Sequence, residues 1–282
     1  MKKLFVIFII IFFFLFVFSL ILGFCLPKNS QGQEKLFSIK KGENVFQISQ
    51  NLESQDFIKS QYCFNFYVFI SQKQNKLQAG IYFLNPSMNI YEIASKFVSG
   101  DIAVQTVTIP EGFTQKQIEE RLGFKLPGQN LEGYLFPDTY QFPIGISGQD
   151  VVKKMRENFD KKLTIDFKEE IQRQGKTISD IVIMASLLEK EVKTPEDKET
   201  VSGILWKRLS INMPLQVDAA METYQRRGLP IEPICNPGLE SIKAAMRPNN
   251  SSYLYYLSAS NGQTIFSKTL EEHNMNKLRY LE

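Results

Sequence analysis

Three stretches of the chain repeat one pattern of apolar and polar positions. They are FSIKKGENVFQISQNL from Phe37, YFLNPSMNIYEIASKF from Tyr82 and VTIPEGFTQKQIEERL from Val107. In each stretch, alternating apolar residues typical of a strand lead into a Gly or Pro turn, and an apolar stripe with helical spacing follows. Asn44, Asn89 and Thr114 stand where a helix N-cap is expected. The pattern predicts three strand–turn–helix segments. It is equally consistent with a true internal repeat and with three unrelated segments that share similar turn and capping signals.

The remaining segments predict more helix than strand. FIKSQYCFNFYVFISQ, between the first two stretches, has the spacing of an amphipathic helix. KTISDIVIMASLLEKEV begins with Thr177 three residues before Asp180, which resembles a capping box, and the next helix starts with Thr194 before Pro195. Asn236 before Pro237 is predicted to start a third helix, and PNNSSYLYYLSA a turn followed by an aromatic strand. The predicted fold class is α+β.

The first residues predict a membrane anchor. From Leu4 to Phe24 the chain is apolar except for Ser19, which is long enough to cross a hydrocarbon core of about 30 Å. No small-residue cleavage site follows, so we expect a retained transmembrane helix rather than a signal peptide. Lys2 and Lys3 favour a cytoplasmic amino terminus. The sequence therefore predicts a single-pass protein of the cell membrane with its folded part on the extracytoplasmic side.

Composition excludes several classes of function. The chain has 282 residues, of which 43% are hydrophobic and 22% charged, as expected for globular domains. Its 33 basic and 30 acidic residues are interspersed, so a nucleic-acid partner is not expected. Cys25, Cys63 and Cys235 are too far apart in sequence for a disulfide framework or a metal motif. We expect no metal and no cofactor.

One carboxylate stands out on a helical wheel of the segment that starts at Thr177. Glu191 falls within the apolar arc that includes Leu188, whereas Glu189 falls on the opposite side and is predicted to face solvent. Burying an unpaired carboxylate is costly and raises its pKa. Glu191 therefore either pairs with an arginine such as Arg208 or Arg226, reaches solvent, or acts as a general acid in a cleft.

Six segments together resemble the endolytic murein transglycosylases, the MltG or YceG-like family. They are EGYLFPDTY (132–140), ASLLEKEV (185–192), MPLQVD (213–218), GLPIEPICNPGLESIKAAM (228–246), YLYYLS (253–258) and EHN (272–274). They occur in the family's order over nearly all of the chain beyond the anchor. The stretch between Asp218 and Gly228 departs from the family, because it is shorter than usual.

The resemblance implies a lytic transglycosylase that acts on peptidoglycan. Such an enzyme cuts the MurNAc–GlcNAc bond of nascent glycan strands without water, leaves a 1,6-anhydro-MurNAc end and is expected to terminate glycan elongation. The family's catalytic position, the second glutamate of its E-K-E motif, falls on Glu191. Because the muramyl C6 hydroxyl replaces water, one acid suffices and a second carboxylate is not required. Peptidoglycan synthases are implied as partners.

The apolar run, the polar stretch after it and the resemblance together divide the chain, and the matching segments contain candidate substrate-binding residues. The expected parts are a cytoplasmic tip (1–3), the transmembrane helix (4–24), a linker (25–35), a small LysM-like α/β subdomain (36–105) and a larger α+β catalytic domain (106–282) with a helical core that carries the glutamate. The candidate binding residues are Gln216, Asp218, Glu132, Tyr134, Tyr224 and Asn236. His273, in the EHN segment, is expected to be a surface residue of a helix rather than part of a cleft wall.

Two other functions fit the sequence. One is a catalytically silent, membrane-anchored scaffold that binds murein or serves cell division. The other is a lysozyme-like hydrolase that uses Glu191 together with Asp218 or Glu132. The products distinguish the three functions, because a transglycosylase leaves anhydromuramyl ends, a hydrolase leaves reducing ends and a scaffold leaves none.

Overall fold

The computed structural model describes residues 26–28 and 32–281. The predicted transmembrane helix and Cys25 lie outside these residues. No helix within the described part of the chain is long and apolar enough to cross a membrane. The described chain is a mixture of helices and short strands, which confirms the predicted α+β class.

Helices and short strands follow one another along the described chain. The strands are β1 (Lys35–Ile39), β2 (Gly80–Leu84), β3 (Val104–Thr108), β4 (Thr139–Pro143), β5 (Tyr255–Ser258) and β6 (Thr264–Ser267). The helices are α1 (Val45–Ser54), α2 (Gln61–Ile70), α3 (Ile90–Ser99), α4 (Gln115–Leu122), α5 (Gly148–Lys162), α6 (Ile165–Arg173), α7 (Ile178–Glu191), α8 (Pro195–Ser210), α9 (Glu222–Gln225), α10 (Leu239–Met246) and α11 (Leu270–Tyr280). The strands pair as β1–β2, β3–β4 and β5–β6.

The first of two compact units runs up to Gln105 and includes Phe142–Gly145. Its strands β1 and β2 are antiparallel, with Lys35 opposite Leu84 and Ile39 opposite Gly80. Alternate residues of both strands are buried with the inner faces of α1, α2 and α3. The order strand–helix–helix–strand, followed by a third helix, agrees with the predicted pattern. The LysM-like identification stays a prediction.

The predicted N-caps of the three repeated stretches are confirmed. Asn44, Asn89 and Thr114 each accept a hydrogen bond from the backbone N–H three residues later, and a side chain at that position bonds back to the N–H of the cap. These capping boxes satisfy backbone donors that a helix end leaves unpaired. Local sequence thus fixes where the three helices begin.

The second unit comprises Thr106–Gln141 and Ile146–Glu282 and is built around α7. Every residue of α7 from Ile181 to Leu188 is buried, so the helix has no solvent-facing side over two turns. Helices α8 and α10 pack against it. Strands β5 and β6 form an antiparallel hairpin on which α11 packs. The predicted aromatic strand is therefore confirmed as β5.

Two local predictions are wrong. Helix α10 begins at Leu239 with Gly238 as its N-cap, so Asn236 does not start it. Glu189 does not face solvent, because its side chain is 10% exposed. A helical wheel assigns one face of a helix to solvent, whereas α7 lies at the centre of its unit and is buried on every side from Ile181 to Leu188.

Candidate active site

Glu191 is the last residue of α7, and it lines a cleft of the second unit. The following residue, Val192, has an extended backbone and ends the helix. The cleft has a volume of about 600 Å³. It is lined by Glu191 together with Gln216, Asp218, Tyr224, Tyr256 and His273, among others. The structure thus brings four of the predicted site residues together, namely Glu191, Gln216, Asp218 and Tyr224.

The surroundings of Glu191 favour its protonated form. Burial raises the pKa of the Glu191 carboxyl, and the nearby charge of Asp218 raises it further. The backbone N–H of Ala219 donates to Oε1 at 3.0 Å and acts in the opposite direction, as does the hydroxyl of Tyr256. The net shift is upward. A carboxyl with a raised pKa keeps its proton to higher pH than a free glutamate and can then donate it.

Glu191 has no ion-pair partner among the described residues. Arg208 is buried, but its Nε donates to the carbonyl of Leu254 at 2.7 Å and its Nη1 to that of Leu215 at 2.6 Å. Arg226 is exposed. The interpretation of Glu191 as half of a structural ion pair is therefore wrong.

A short segment after α8 presents two polar residues to the cleft. Leu215 and Val217 are buried, and the residues between and after them, Gln216 and Asp218, are exposed. Gln216 has a φ of 52°, a left-handed conformation that is uncommon for a residue other than glycine. Its backbone N–H donates to the carbonyl of Thr223 at 3.3 Å. The segment is thus held in a shape that turns both polar side chains outward.

Thr223 holds this segment in place through hydrogen bonds of its side chain. Its side chain is buried, accepts a hydrogen bond from the N–H of Val217 at 2.9 Å and donates to the carbonyl of Ala220 at 2.7 Å. Next to it, the hydroxyl of Tyr224 donates to a carboxylate oxygen of Asp218. That hydrogen bond raises the pKa of Tyr224 to about 12, so Tyr224 stays protonated at neutral pH.

Tyr256 is a cleft residue that sequence reasoning missed. Its hydroxyl is buried and makes no hydrogen bond of regular geometry within the described chain. Burial, together with the charge of Glu191, raises its pKa. Adjacent tyrosines of a strand point to opposite faces, and only the folded hairpin shows that Tyr256 is the one that reaches the cleft.

His273 also lines the cleft, so its expected place on the surface is wrong. The ring is 8% exposed and stacks on Tyr255, with ring centroids 5.3 Å apart. Burial lowers its pKa, and the nearby Lys277 and Arg208 lower it further. The imidazole is therefore neutral at pH 7. Its Nδ1 has no hydrogen-bond partner in the described part of the structure.

The other predicted binding residues form a separate cluster. Glu132 accepts hydrogen bonds from the N–H of Gln115 at 3.0 Å and from Nδ2 of Asn236 at 2.8 Å. Asn236 is fully buried, and its Oδ1 accepts from the N–H of Leu135 at 2.9 Å. Tyr134 packs edge-on against a phenylalanine of α5. Glu132 and Tyr134 line a smaller pocket of about 260 Å³, and none of the three residues lines the Glu191 cleft.

Glu189 holds the end of α7 in place. Its Oε2 accepts hydrogen bonds from the N–H of Gly238 at 2.9 Å and from Oγ of Ser241 at 2.7 Å. Its Oε1 lies 3.4 Å from Nζ of Lys198, which is also buried. These contacts link α7 to the start of α10 and to α8. The two glutamates of the E-K-E segment therefore have different surroundings, one paired and one unpaired.

No group of three or more metal-binding side chains occurs among the residues that the structure describes. Cys235 is buried, and burial raises the pKa of its thiol to about 12. The cleft itself offers a carboxyl with a raised pKa, that of Glu191, with hydroxyl, amide and carboxylate neighbours.

Comparison with known proteins gives concordant matches. A model of the YceG-like family matches residues 37–222 and 221–279, and the two matches meet in the stretch between Asp218 and Gly228. The chain is 29% identical to the endolytic murein transglycosylase of Bacillus subtilis strain 168, covering 86% of this chain and 84% of that protein. It is 25% identical to the endolytic murein transglycosylase of Streptococcus pneumoniae strain R6, covering 93% of this chain and 61% of that protein.

A solved structure agrees with these matches. The crystal structure of a YceG-like protein from Listeria monocytogenes superposes with a TM-score of 0.57 at 28% identity, over 88% of this chain and 100% of that one. The family match covers most of the chain, including every residue that lines the Glu191 cleft except Leu281. The chain therefore belongs to the YceG-like family, as its sequence predicted.

Proposed function

We propose that the protein is an endolytic murein transglycosylase and that Glu191 is its catalytic acid and base. The observation that carries the proposal is the state of Glu191, a carboxyl with a raised pKa and no ion-pair partner in the described chain, at the wall of an open cleft. The names of the relatives from Bacillus subtilis and Streptococcus pneumoniae support the same activity.

In the proposed reaction Glu191 acts twice. The protonated carboxyl donates its proton to the oxygen between MurNAc and GlcNAc, and the bond from that oxygen to C1 breaks through an oxocarbenium-like state. The carboxylate then accepts the proton of the muramyl C6 hydroxyl as the C6 oxygen bonds to C1. Glu191 ends protonated, no water is consumed, and the products are a GlcNAc hydroxyl and a 1,6-anhydro-MurNAc end.

The neighbours of Glu191 fit these two protonation states. The N–H of Ala219 and the hydroxyl of Tyr256 can stabilise the carboxylate that forms when the proton leaves. Burial and the charge of Asp218 favour return of the proton. Gln216, Asp218 and Tyr224 line the same cleft, and in this proposal they would bind sugar hydroxyls.

A hydrolase is the second candidate, and one observation favours it. Asp218 lines the same cleft as Glu191 and could serve as the second carboxylate that hydrolytic glycosidases use. Glu132 is a poorer choice, because it does not line that cleft and its oxygens accept hydrogen bonds from Gln115 and Asn236.

The products of the reaction test the proposal. Full-length protein in detergent would be incubated with purified sacculi, and the released glycan ends identified by mass spectrometry. A transglycosylase gives anhydromuramyl ends, each lighter by one water than the reducing end that a hydrolase gives. Reducing ends would favour the hydrolase, and an absence of new ends would favour a murein-binding scaffold.

The setting of the proposed reaction is the outer side of the cell membrane. The apolar run from Leu4 to Phe24 would anchor the chain there and keep the cleft near newly made glycan strands. Cutting such strands would terminate their elongation, and peptidoglycan synthases would be natural partners. A cell fractionation followed by protease treatment of intact spheroplasts tests this placement, since only an extracytoplasmic chain is degraded.

A further inference from the structure

Helix α2 carries an unusual row of exposed apolar side chains. Four side chains on one side of this helix are each between 49 and 77% exposed. They are Tyr62, Phe66, Phe69 and Ile70. Phe46 of α1 extends the row, since its ring centroid lies 6.2 Å from that of Phe69. These five residues form what we call the α2 aromatic face. Contiguous exposed apolar surface of this kind usually marks an interaction site.

The charged residues of the chain segment that contains α2 all have one sign, and Glu53 of α1 accepts a hydrogen bond from the N–H of Gln61 at the start of that helix at 3.4 Å. The segment from Lys59 to Lys76 contains Lys59, Lys73 and Lys76 and no aspartate or glutamate. Lys73 lies over the rings of Tyr67 and Tyr91, at 5.1 and 5.3 Å from their centroids. Aromatic residues flanked by lysines are characteristic of helices that lie in the headgroup region of an anionic bilayer.

The chain path brings this helix close to the end of the predicted anchor. Lys28 forms an ion pair with Asp56, in the loop between α1 and α2. Lys28 lies only four positions after Phe24, the last residue of the apolar run, and a chain of this length spans about 14 Å at most when fully extended. Asp56 in turn lies five residues before Gln61, where α2 begins. The start of α2 is therefore held within reach of the membrane surface.

We propose that the α2 aromatic face rests on the outer leaflet of the membrane that holds the predicted anchor. Its aromatic and aliphatic side chains would lie at the boundary between headgroups and acyl chains, with the nearby lysines among anionic headgroups. The first unit would then have a fixed orientation on the bilayer rather than swing freely on its linker. This inference rests on the anchor that the proposed function includes, and it is independent of the catalytic role of Glu191.

Photo-crosslinking in the full-length chain tests the inference. The photoreactive residue p-benzoylphenylalanine would replace Phe66 or Phe69, and the protein would be reconstituted into liposomes that contain phosphatidylglycerol. Ser38 offers a matched control position in the same unit. It is exposed on the outer face of the β1–β2 sheet, whose inner face packs on the helices. After irradiation and proteolysis, mass spectrometry identifies what each position has attached to.

The inference predicts lipid adducts at positions 66 and 69 in several-fold excess over position 38. Adding Phe66→Glu to the chain with the photoreactive residue at 69 should reduce the lipid adduct to the level of the Ser38 control. Because position 66 is exposed, this substitution is expected to leave thermal unfolding unchanged. The same pattern should appear in a Glu191→Gln chain, so loss of catalysis cannot mimic failure of the inference.

Three outcomes would overturn the inference. Equal lipid adducts at positions 66 and 38 would show no preferred face. Adducts to a second copy of the chain, in place of lipid, would identify a protein interface instead. A chain that fails to float with the liposomes would contradict the anchor itself and, with it, the proposed contact.

Discussion

Replacing Glu189 by alanine is expected to destabilise the second unit strongly. The substitution removes the carboxylate that lies 3.4 Å from Nζ of Lys198 and accepts hydrogen bonds from Gly238 and Ser241. It leaves Lys198, whose side chain is 7% exposed, without this partner. It also leaves the N–H of Gly238 and the hydroxyl of Ser241 without their acceptor.

The size of the expected loss in unfolding free energy follows from the burial of Lys198. Removing one partner of a buried ion pair costs about 3–5 kcal/mol, because the other charge stays buried and uncompensated. Glu111 lies nearby, and burial together with the charge of Glu189 raises the pKa of its carboxyl. Once Glu189 is gone, Glu111 can ionise more readily and partly compensate Lys198. We therefore expect the lower end, about 3 kcal/mol.

A conservative variant separates charge from hydrogen bonding. Glu189→Gln keeps an oxygen that can accept from Gly238 or Ser241 and loses only the charge. Its expected cost is about 2–3 kcal/mol, close to that of alanine but below it, because Lys198 loses its compensating charge in both variants and only the acceptor oxygen is kept. Glu169→Ala serves as the control, since Glu169 is exposed on α6 and its loss should change the free energy of unfolding by less than about 0.5 kcal/mol.

Urea unfolding followed by tryptophan fluorescence measures these differences. Trp206, the single tryptophan of the chain, lies two turns after Lys198 on α8 and donates to the carbonyl of Ala245 at 2.9 Å, so it reports on this unit. If Glu189→Ala unfolds within about 0.5 kcal/mol of wild type, the contacts of Glu189 do not stabilise the unit and the reasoning is refuted.

Three further predictions concern the cleft. Tyr256→Phe removes a hydroxyl that favours the ionised form of Glu191, so the pKa of Glu191 should rise and the alkaline limb of kcat/KM should move to higher pH; an unmoved limb would contradict the contact. Thr223→Val leaves the N–H of Val217 without its acceptor and should cost about 1–3 kcal/mol in urea unfolding, with a fall in activity that Thr223→Ser largely restores. Glu191→Gln should be more stable than wild type at pH 8 and not at pH 4. The reason is that folding raises the pKa of Glu191. The stability that its protonated carboxyl contributes to the wild type is fully present below the unfolded-state pKa and is lost as the pH rises through the folded-state pKa. A stability difference independent of pH would contradict the raised pKa.

Local signals in the sequence were sufficient to predict five of the helix starts. Asn44, Asn89 and Thr114 cap their helices because a cap depends only on residues three positions apart, and Thr177 and Thr194 cap α7 and α8 for the same reason. Such interactions are written in short stretches of sequence, so they can be predicted without knowledge of the fold.

Tertiary contacts were the part that the sequence did not reveal. Glu189 was predicted to face solvent because a helical wheel represents one helix without its neighbours. In the structure, α8 and α10 pack against α7. Asn236 was assigned to a helix start, yet it bonds to Glu132, 104 residues away in sequence. Glu191 was recognised because its carboxylate interrupts an apolar arc, and its neighbour Tyr256 was not, because only the folded hairpin brings it to the cleft.

The most direct test of the central claim compares wild type with Glu191→Gln on purified sacculi at neutral pH. Glutamine keeps the shape of the side chain and its acceptor oxygen but cannot donate or take up the proton. If Glu191 is the acid and base, the rate at which anhydromuramyl ends appear should fall by at least about a hundredfold. Release of those ends by Glu191→Gln at the wild-type rate would show that another group moves the proton.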